Sequence, residues 1–360
     1  MKFIKKLLKW LVISISTITL LLYIFDYGYI IRGTRIVYFT GHNTPFIDDY
    51  PYFENDIIKK SSNPNPWPNH KDYNTVKETE KLLTANKDWG TVAYVIIKND
   101  SIWFENYYDG FNEKSKTNSF SMAKSITTSL LGKAIMNGYI KNLDQPISDF
   151  YPEYTDEKTT VGDLASMASG LDWIEHYTSP FSVTARANYD DDLAETILNQ
   201  KIVKTPGVEF EYLSGNTQLL GMIIQKATGK TLAKYLTESF WQPMGTTEDA
   251  LWQLDDGENK LAKAFCCISS NAKDFARFGK LYKDHGKWNG NQILDSAFVA
   301  KSIKPRFSES PEYGYGWWLK QQNGKNFFMM HGHLGQYVIV EPNDNVIIVR
   351  LGHKKSPDNG

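Results

Sequence analysis

The chain has 360 residues, 41% of them hydrophobic and 22% charged, with a formal net charge of -1. That size and apolar content suffice for one sizeable globular core, and near-neutrality removes the electrostatic grounds for nucleic acid or an acidic ligand as partner. The only cysteines, Cys266 and Cys267, are adjacent, so a mutual bridge is strained, a disulfide framework is excluded, and the fold must rest on its core.

The N-terminus is directional. Lys2, Lys5, Lys6 and Lys9 precede sixteen uncharged residues, 10–25. At about 1.5 Å per residue that run spans about 24 Å, a little short of a hydrocarbon core, and residues 27–31 extend it past the single charge of Asp26. The basic flank stays inside and places the rest of the chain outside, periplasmic or extracellular. No alanine occurs before Ala85, so the usual small-residue cleavage site is missing and the segment reads as an uncleaved anchor. The expected division is an anchor over 1–32, a connector over 33–85 whose Pro-rich stretch 57–74 lies over the surface, and a main domain over 86–360.

Residues 91–97 and 101–108 read as a hairpin around Lys98-Asn99-Asp100. Then comes Ser121-Met122-Ala123-Lys124, opening a helix that stops at Asn137-Gly138. Positions i and i+3 on a helix are neighbours, so Lys124 can manage the proton of a nucleophilic Ser121 without a histidine. The bland reading of Ser121 is an N-cap. A second Ser-x-x-Lys, at Ser270 to Lys273, reads as capping only, with Ser269 or Ser270 as N-cap of the amphipathic helix that follows.

Helices and loops fill roughly 142–283. Within them, Tyr212 follows the Pro206-Gly207 turn and precedes a helix at 217–227, which suits a loop presenting side chains into a cleft. A phenol beside a lysine is expected to have its pKa lowered by the cation and to relay protons; packing is its bland alternative. Tyr189 lies in a segment that is either substrate-facing or solvated. Trp173, Tyr177, Trp317 and Trp318 either line an acyl pocket or belong to the core. Strands return at 315–321, 326–330, 336–341 and 346–351. His331 and His333, two apart on a strand, face one side and form a zinc-like pair, but no second ligand pair accompanies them, so no metal and no cofactor is expected. The whole is α+β: an antiparallel sheet from both ends of the chain, flanked by helices, with a largely helical insertion at about 142–283.

Three stretches in order resemble the motifs of the serine β-lactamase and penicillin-binding D,D-peptidase superfamily: Ser121 to Lys124, Tyr212-Leu213-Ser214, and His333-Leu334-Gly335. Ala165 to Leu171, the Leu-Leu-Gly ending at Gly221 and Tyr313-Gly314-Tyr315-Gly316-Trp317 recur in its class C-like branch. Ser214 replaces the asparagine of class C β-lactamases. The Tyr-x-Ser form and the Gly-His-x-Gly-Gln ending are similar to 6-aminohexanoate-dimer hydrolases and related carboxylesterases. The resemblance implies a β-lactamase/transpeptidase-like fold and an acyl-enzyme on Ser121, with Lys124 and Tyr212 sharing the proton work. Lys124 is then either a neutral base or a cation holding a Tyr212 phenolate. The implied oxyanion donors are the N–H groups of Ser121 and Gln336, with His333, Gly335 and Ser214 in the cleft and Tyr189 and Trp173 toward substrate. No Glu-x-x-Leu-Asn segment for deacylating water is present, and residues 352–360 are too short and polar for the usual C-terminal covering helix, so either the chain is truncated or the sheet is covered otherwise. The expected function is an exported, membrane-anchored serine hydrolase of a small amide or ester. The alternatives are a D,D-peptidase or β-lactamase, and a penicillin-recognising sensor without turnover or an inactive scaffold.

Overall fold

A computed structural model describes residues 1–154, 158–255, 257–258 and 260–356. The first half of the chain runs α1 (Lys2–Ile24), α2 (Gly28–Val37), β1 (Asn55–Ile58), α3 (Glu80–Asp88), β2 (Thr91–Lys98), β3 (Ser101–Tyr107), β4 (Thr117–Asn118), α4 (Met122–Met136) and α5 (Val161–Ala165). It continues through α6 (Val183–Tyr189), α7 (Leu193–Leu198), α8 (Ser214–Thr228), α9 (Leu232–Leu236), β5 (Ala250–Gln253), β6 (Ile268–Ser270) and α10 (Ala272–Lys283). Last come β7 (Lys287–Trp288), β8 (Asn291–Gln292), α11 (Ser296–Ser302), β9 (Trp318–Gln322), β10 (Lys325–Gly332), β11 (Gln336–Glu341) and β12 (Val346–Gly352).

The main sheet is antiparallel, in the order β3-β2-β12-β11-β10-β9, and does join the two ends of the chain. Alternation along β2 and β12 sends Val95, Ile97, Ile347 and Val349 inward, where α10 packs. Gly279 of α10 lies so close to this face that a Cβ there would sit 3.0 Å from Val338 and Val340. The helical insertion also carries strands: β5 and β6 form a second small sheet with β1 and β4.

The connector is more structured than its composition suggests. β1 pairs with β5, and the Pro-rich stretch is stitched to β3 by Ile102 N–H to Pro68 O (2.8 Å) and His70 N–H to Ile102 O (2.9 Å). Trp67 is buried and donates Nε1–H to Lys273 O at 2.9 Å. At the N-terminus, α1 is the one helix among the described residues long and apolar enough to cross a membrane, and none of its residues is buried. Residues 28–31 do not extend it. They open α2, which packs on α6 and buries Tyr29, Gly33, Ile36 and Val37.

α4 is buried nearly all round, which its run of Ser and Thr tolerates because three of its hydroxyls reach backbone acceptors. Ser125 donates to Gly316 O (2.5 Å), Thr127 to Ala264 O (2.9 Å), and Ser129 to its own Ser125 O (2.8 Å). The second Ser-x-x-Lys is capped differently from the expectation. Asn271, whose amide oxygen accepts from Asp274 N–H at 2.8 Å, is the N-cap of α10, and Ser269 and Ser270 are buried in β6. α8 starts at Ser214, ahead of the expected 217, and β9 starts at Trp318, because Gly316 at φ +77° turns the chain just before it. Cys266 and Cys267 are bonded to each other. After β12, His353 and Lys354 donate to Gly90 O and Trp89 O, laying the tail along the start of β2; residues 357–360 of the C-terminal segment lie outside the described residues.

Candidate active site

The nucleophile segment is held before its helix begins. Ser119 N–H donates to Ile268 O (2.7 Å), and Phe120 N–H to Asn118 Oδ1 (2.8 Å). These bonds hold Phe120 at φ +44°, a left-handed conformation that a bulky residue adopts only under such constraint. Ser121 therefore stands at the N-cap position of α4, yet its hydroxyl caps no helix N–H. It turns instead to Lys124, whose Nζ lies 3.1 Å from Ser121 Oγ.

Lys124 is 2% exposed and donates also to Ser214 Oγ (3.1 Å) and Phe265 O (3.0 Å). Burial lowers its pKa to about 8, against the opposing field of Glu175. Tyr212 is the third member: its hydroxyl approaches the Ser121 side chain, and its ring lies 5.0 Å from Lys124 Nζ. Its pKa moves opposite to the expectation. Burial dominates and raises it, the Ser121 contact being a smaller lowering influence, so Tyr212 remains a phenol. Packing against Trp318 (5.2 Å between ring centroids) and Tyr313 (6.0 Å) fixes its ring.

Glu175, which no sequence motif marks, completes the cluster. Its Oε1 accepts from Ser214 Oγ (2.8 Å) and its Oε2 from Ser214 N–H (2.6 Å) and Trp173 Nε1–H (2.8 Å). Ser214 thus joins Lys124 to a carboxylate. No motif spacing marks Glu175; the only signal is an acidic residue between Trp173 and Tyr177, two aromatics already singled out. Tyr177 lies near the same carboxylate and stacks on His333 at 6.1 Å.

The third stretch is placed by β10. Pairing with β9 ends at Met329–Trp318, leaving the strand edge open beyond it, and His331, Gly332 and His333 line the cleft there. A Cβ on Gly332 would overlap the Ser119 carbonyl, so only glycine lets the strand approach the nucleophile segment this closely. Gly335 adopts φ +78° in the turn into β11. Gln336 is fully buried behind that turn, its side chain bonded to Gly352 O (2.6 Å) and Gly352 N–H (3.0 Å), and it does not line the cleft.

Two other residues separate. Tyr189 lines the cleft at the end of α6. Trp173 is 3% exposed and packs on Gly215, where a Cβ would meet its ring at 2.6 Å; it belongs to the core. Of the other aromatics, Tyr177 and Trp318 line the cleft, whereas Trp317 is fully buried. The zinc-like pairing is corrected too. His333 sits in a turn after β10, so strand alternation does not relate it to His331, which stacks on Tyr337 at 4.6 Å. Burial and Lys355 keep both imidazoles below the usual histidine pKa, His331 at about 4.

A serine at a helix start with a buried lysine one turn on, between an antiparallel sheet and a helical region, defines a serine hydrolase of the β-lactamase fold. Residues 76–360 match the family described as Beta-lactamase, and the chain belongs to it. It is 25% identical over 293 residues to the 6-aminohexanoate-dimer hydrolase of Paenarthrobacter ureafaciens, covering 74% of each chain. Over 176 residues it is 29% identical to Protein flp of Staphylococcus aureus (strain NCTC 8325 / PS 47), a match spanning 45% of this chain and 34% of flp. Among solved structures, a protein from Bacillus anthracis assigned as a 6-aminohexanoate-dimer hydrolase superposes with a TM-score of 0.73 at 22% identity, covering 91% of this chain and 89% of that one.

Proposed function

We propose that this enzyme is a membrane-anchored, exported hydrolase that opens an amide or ester through an acyl-enzyme on Ser121. The observation that carries this reading is the contact of buried Lys124 with Ser121, Ser214 and Phe265 O, next to the Tyr212 hydroxyl. Ser121 Oγ attacks the carbonyl carbon while its proton passes to neutral Lys124. With a pKa of about 8, a minor but sufficient fraction of Lys124 is neutral at pH 7, and the raised pKa of Tyr212 supports lysine, not a phenolate, as base. The tetrahedral oxyanion is received by Ser121 N–H at the α4 N-terminus and by His333 N–H in the turn just after β10. His333 takes the donor role implied for Gln336, because it lies on the cleft wall and Gln336 does not. As the bond from the carbonyl carbon to the leaving nitrogen or oxygen breaks, Tyr212 gives its phenolic proton to the departing amine or alkoxide and takes the proton held by the Lys124 ammonium, leaving a Ser121 ester and neutral Lys124. Water then adds through the same groups and releases the acid.

Similarity to a hydrolase of a linear amide supports a linear amide or ester as substrate. The exposed apolar α1 behind four lysines supports the anchor, with the catalytic body outside. The test is intact-mass spectrometry after a fluorophosphonate and, separately, p-nitrophenyl acetate, with Ser121→Ala as control. Expected are a stoichiometric adduct on Ser121 and steady turnover, both lost in Ser121→Ala. An adduct without turnover would point to a sensor, durable acylation by penicillin to the D,D-peptidase class, and no adduct on folded protein would overturn the nucleophile.

A further inference from the structure

The cleft above Ser121 has a volume of about 460 Å³, ample for a ligand well beyond an acetyl group. One whole wall comes from α2, through Tyr29, Ile30, Thr34, Val37 and Tyr38. Phe53, Pro180 and Tyr189 also line it, Tyr189 packing directly on α2. Two of the polar side chains deepest in the wall are engaged with protein. Asp49 Oδ1 accepts from Asn118 (2.9 Å) and Gln253 (2.7 Å), and Asn188 Nδ2 donates to Thr184 O (2.9 Å). What they leave to a ligand is mainly hydrocarbon.

The α2 wall is fixed. A Cβ on Gly33 would lie 3.0 Å from the Tyr189 ring, so α2 rides close on α6, and Arg186 of α6 binds Asp26 Oδ2 at 2.6 Å just before α2 begins. Only Phe25 to Tyr27 separate this wall from α1, the exposed apolar helix. Tyr38, just after α2, and Tyr177 line the cleft while still exposing large apolar surface (62% and 58%), and exposed Phe181 (64%) packs on Tyr27 just before α2. An apolar slot ending at a nucleophile, walled by the continuation of an apolar helix, suits a molecule with a hydrocarbon chain and one polar carbonyl.

We infer that the substrate is an amphiphile: a linear hydrocarbon chain lies along α2, and its ester or amide carbonyl reaches Ser121. This rests on the Ser121 reading above. Two sources share that chemistry, a lipid of the bilayer and a soluble long-chain amide or ester.

The test uses the full chain reconstituted in phosphatidylcholine vesicles, with two ester series: p-nitrophenyl acetate to octanoate, and ethyl to octyl butyrate. In at least one series kcat/KM should rise by up to roughly fourfold per methylene, and at least about a hundredfold across the series. Ile30→Trp and Thr34→Trp, each narrowing the slot, should lower the long-to-short ratio at least about tenfold in the same vesicles, where ester partitioning cancels. Turnover of a long ester confined to vesicles that also hold the enzyme assigns the source to the bilayer; equal turnover of monomeric ester from water assigns it to a soluble amphiphile. Flat profiles in both series with Ser121-dependent turnover, or ratios unmoved by both tryptophans, would overturn the inference. Turnover that survives Ser121→Ala would instead overturn the nucleophile.

Discussion

The exchange Glu175→Gln tests whether the carboxylate behind Ser214 tunes the base. Glu175 reaches Lys124 Nζ through the Ser214 hydroxyl by two hydrogen bonds, 2.8 and 3.1 Å, which puts the charges within about 6 Å of each other. At an effective dielectric constant of about 20 that separation is worth about 3 kcal/mol, an upper limit of roughly two pH units. Glu175 favours the ammonium, so removing its charge lowers the Lys124 pKa further below its present value of about 8. A base must be neutral, so kcat/KM rises with pH and reaches its plateau above the Lys124 pKa. Wild type should therefore plateau above about pH 8, and Glu175→Gln one to two units lower. The amide also keeps only one of the two acceptor oxygens, of which Oε1 takes the Ser214 hydroxyl and Oε2 takes Ser214 N–H and Trp173 Nε1–H, so the plateau itself should drop by about tenfold. The assay is kcat/KM for p-nitrophenyl acetate from pH 5.5 to 9.5, with thermal unfolding as a control. A lower plateau with an unmoved midpoint would make Glu175 a structural brace only, and a midpoint moving up would refute the electrostatic argument.

Tyr212→Phe removes the hydroxyl on Ser121 but keeps the ring packing on Trp318 and Tyr313, so kcat should fall about a hundred- to a thousandfold with little change in KM or melting temperature; a loss below threefold would remove Tyr212 from the proton path. Arg277→Ala should destabilise the fold by about 3–5 kcal/mol in urea unfolding, because it strands the buried Asp274 carboxylate, whose Oδ1 now accepts Arg277 Nε at 2.8 Å. A change under about 1 kcal/mol would mean that the Asn271 and Thr247 bonds to Asp274 already suffice.

Much of this site was legible because its chemistry is local. A helix fixes Ser121 against Lys124 by its own period, and a Pro-Gly turn delivers Tyr212 to a loop edge, so residue order and spacing carried both. The sheet was legible for a similar reason, since alternating apolar strands bounded by turn residues declare themselves. The open strand edge in the cleft was not legible, because a strand sequence does not say where its neighbour stops pairing. It is the end of β9 at Trp318 that opens the edge at His331 to His333. Trp173 went to the core by the same kind of contact, the bare Cα of Gly215.

What the sequence by itself determined is the family of the fold and the grouping of Ser121, Lys124 and Tyr212, because these follow from short-range periodicity and ordered motifs. What only the tertiary structure decided is the electrostatic setting and the shape of the cleft. Glu175 meets Ser214 from 39 positions away, and α2 meets α6 across more than 150 residues. The direction of the Tyr212 pKa shift depended on how much water its site excludes against how near a cation stands. Burial is a sum over the whole chain, and no local pattern records it.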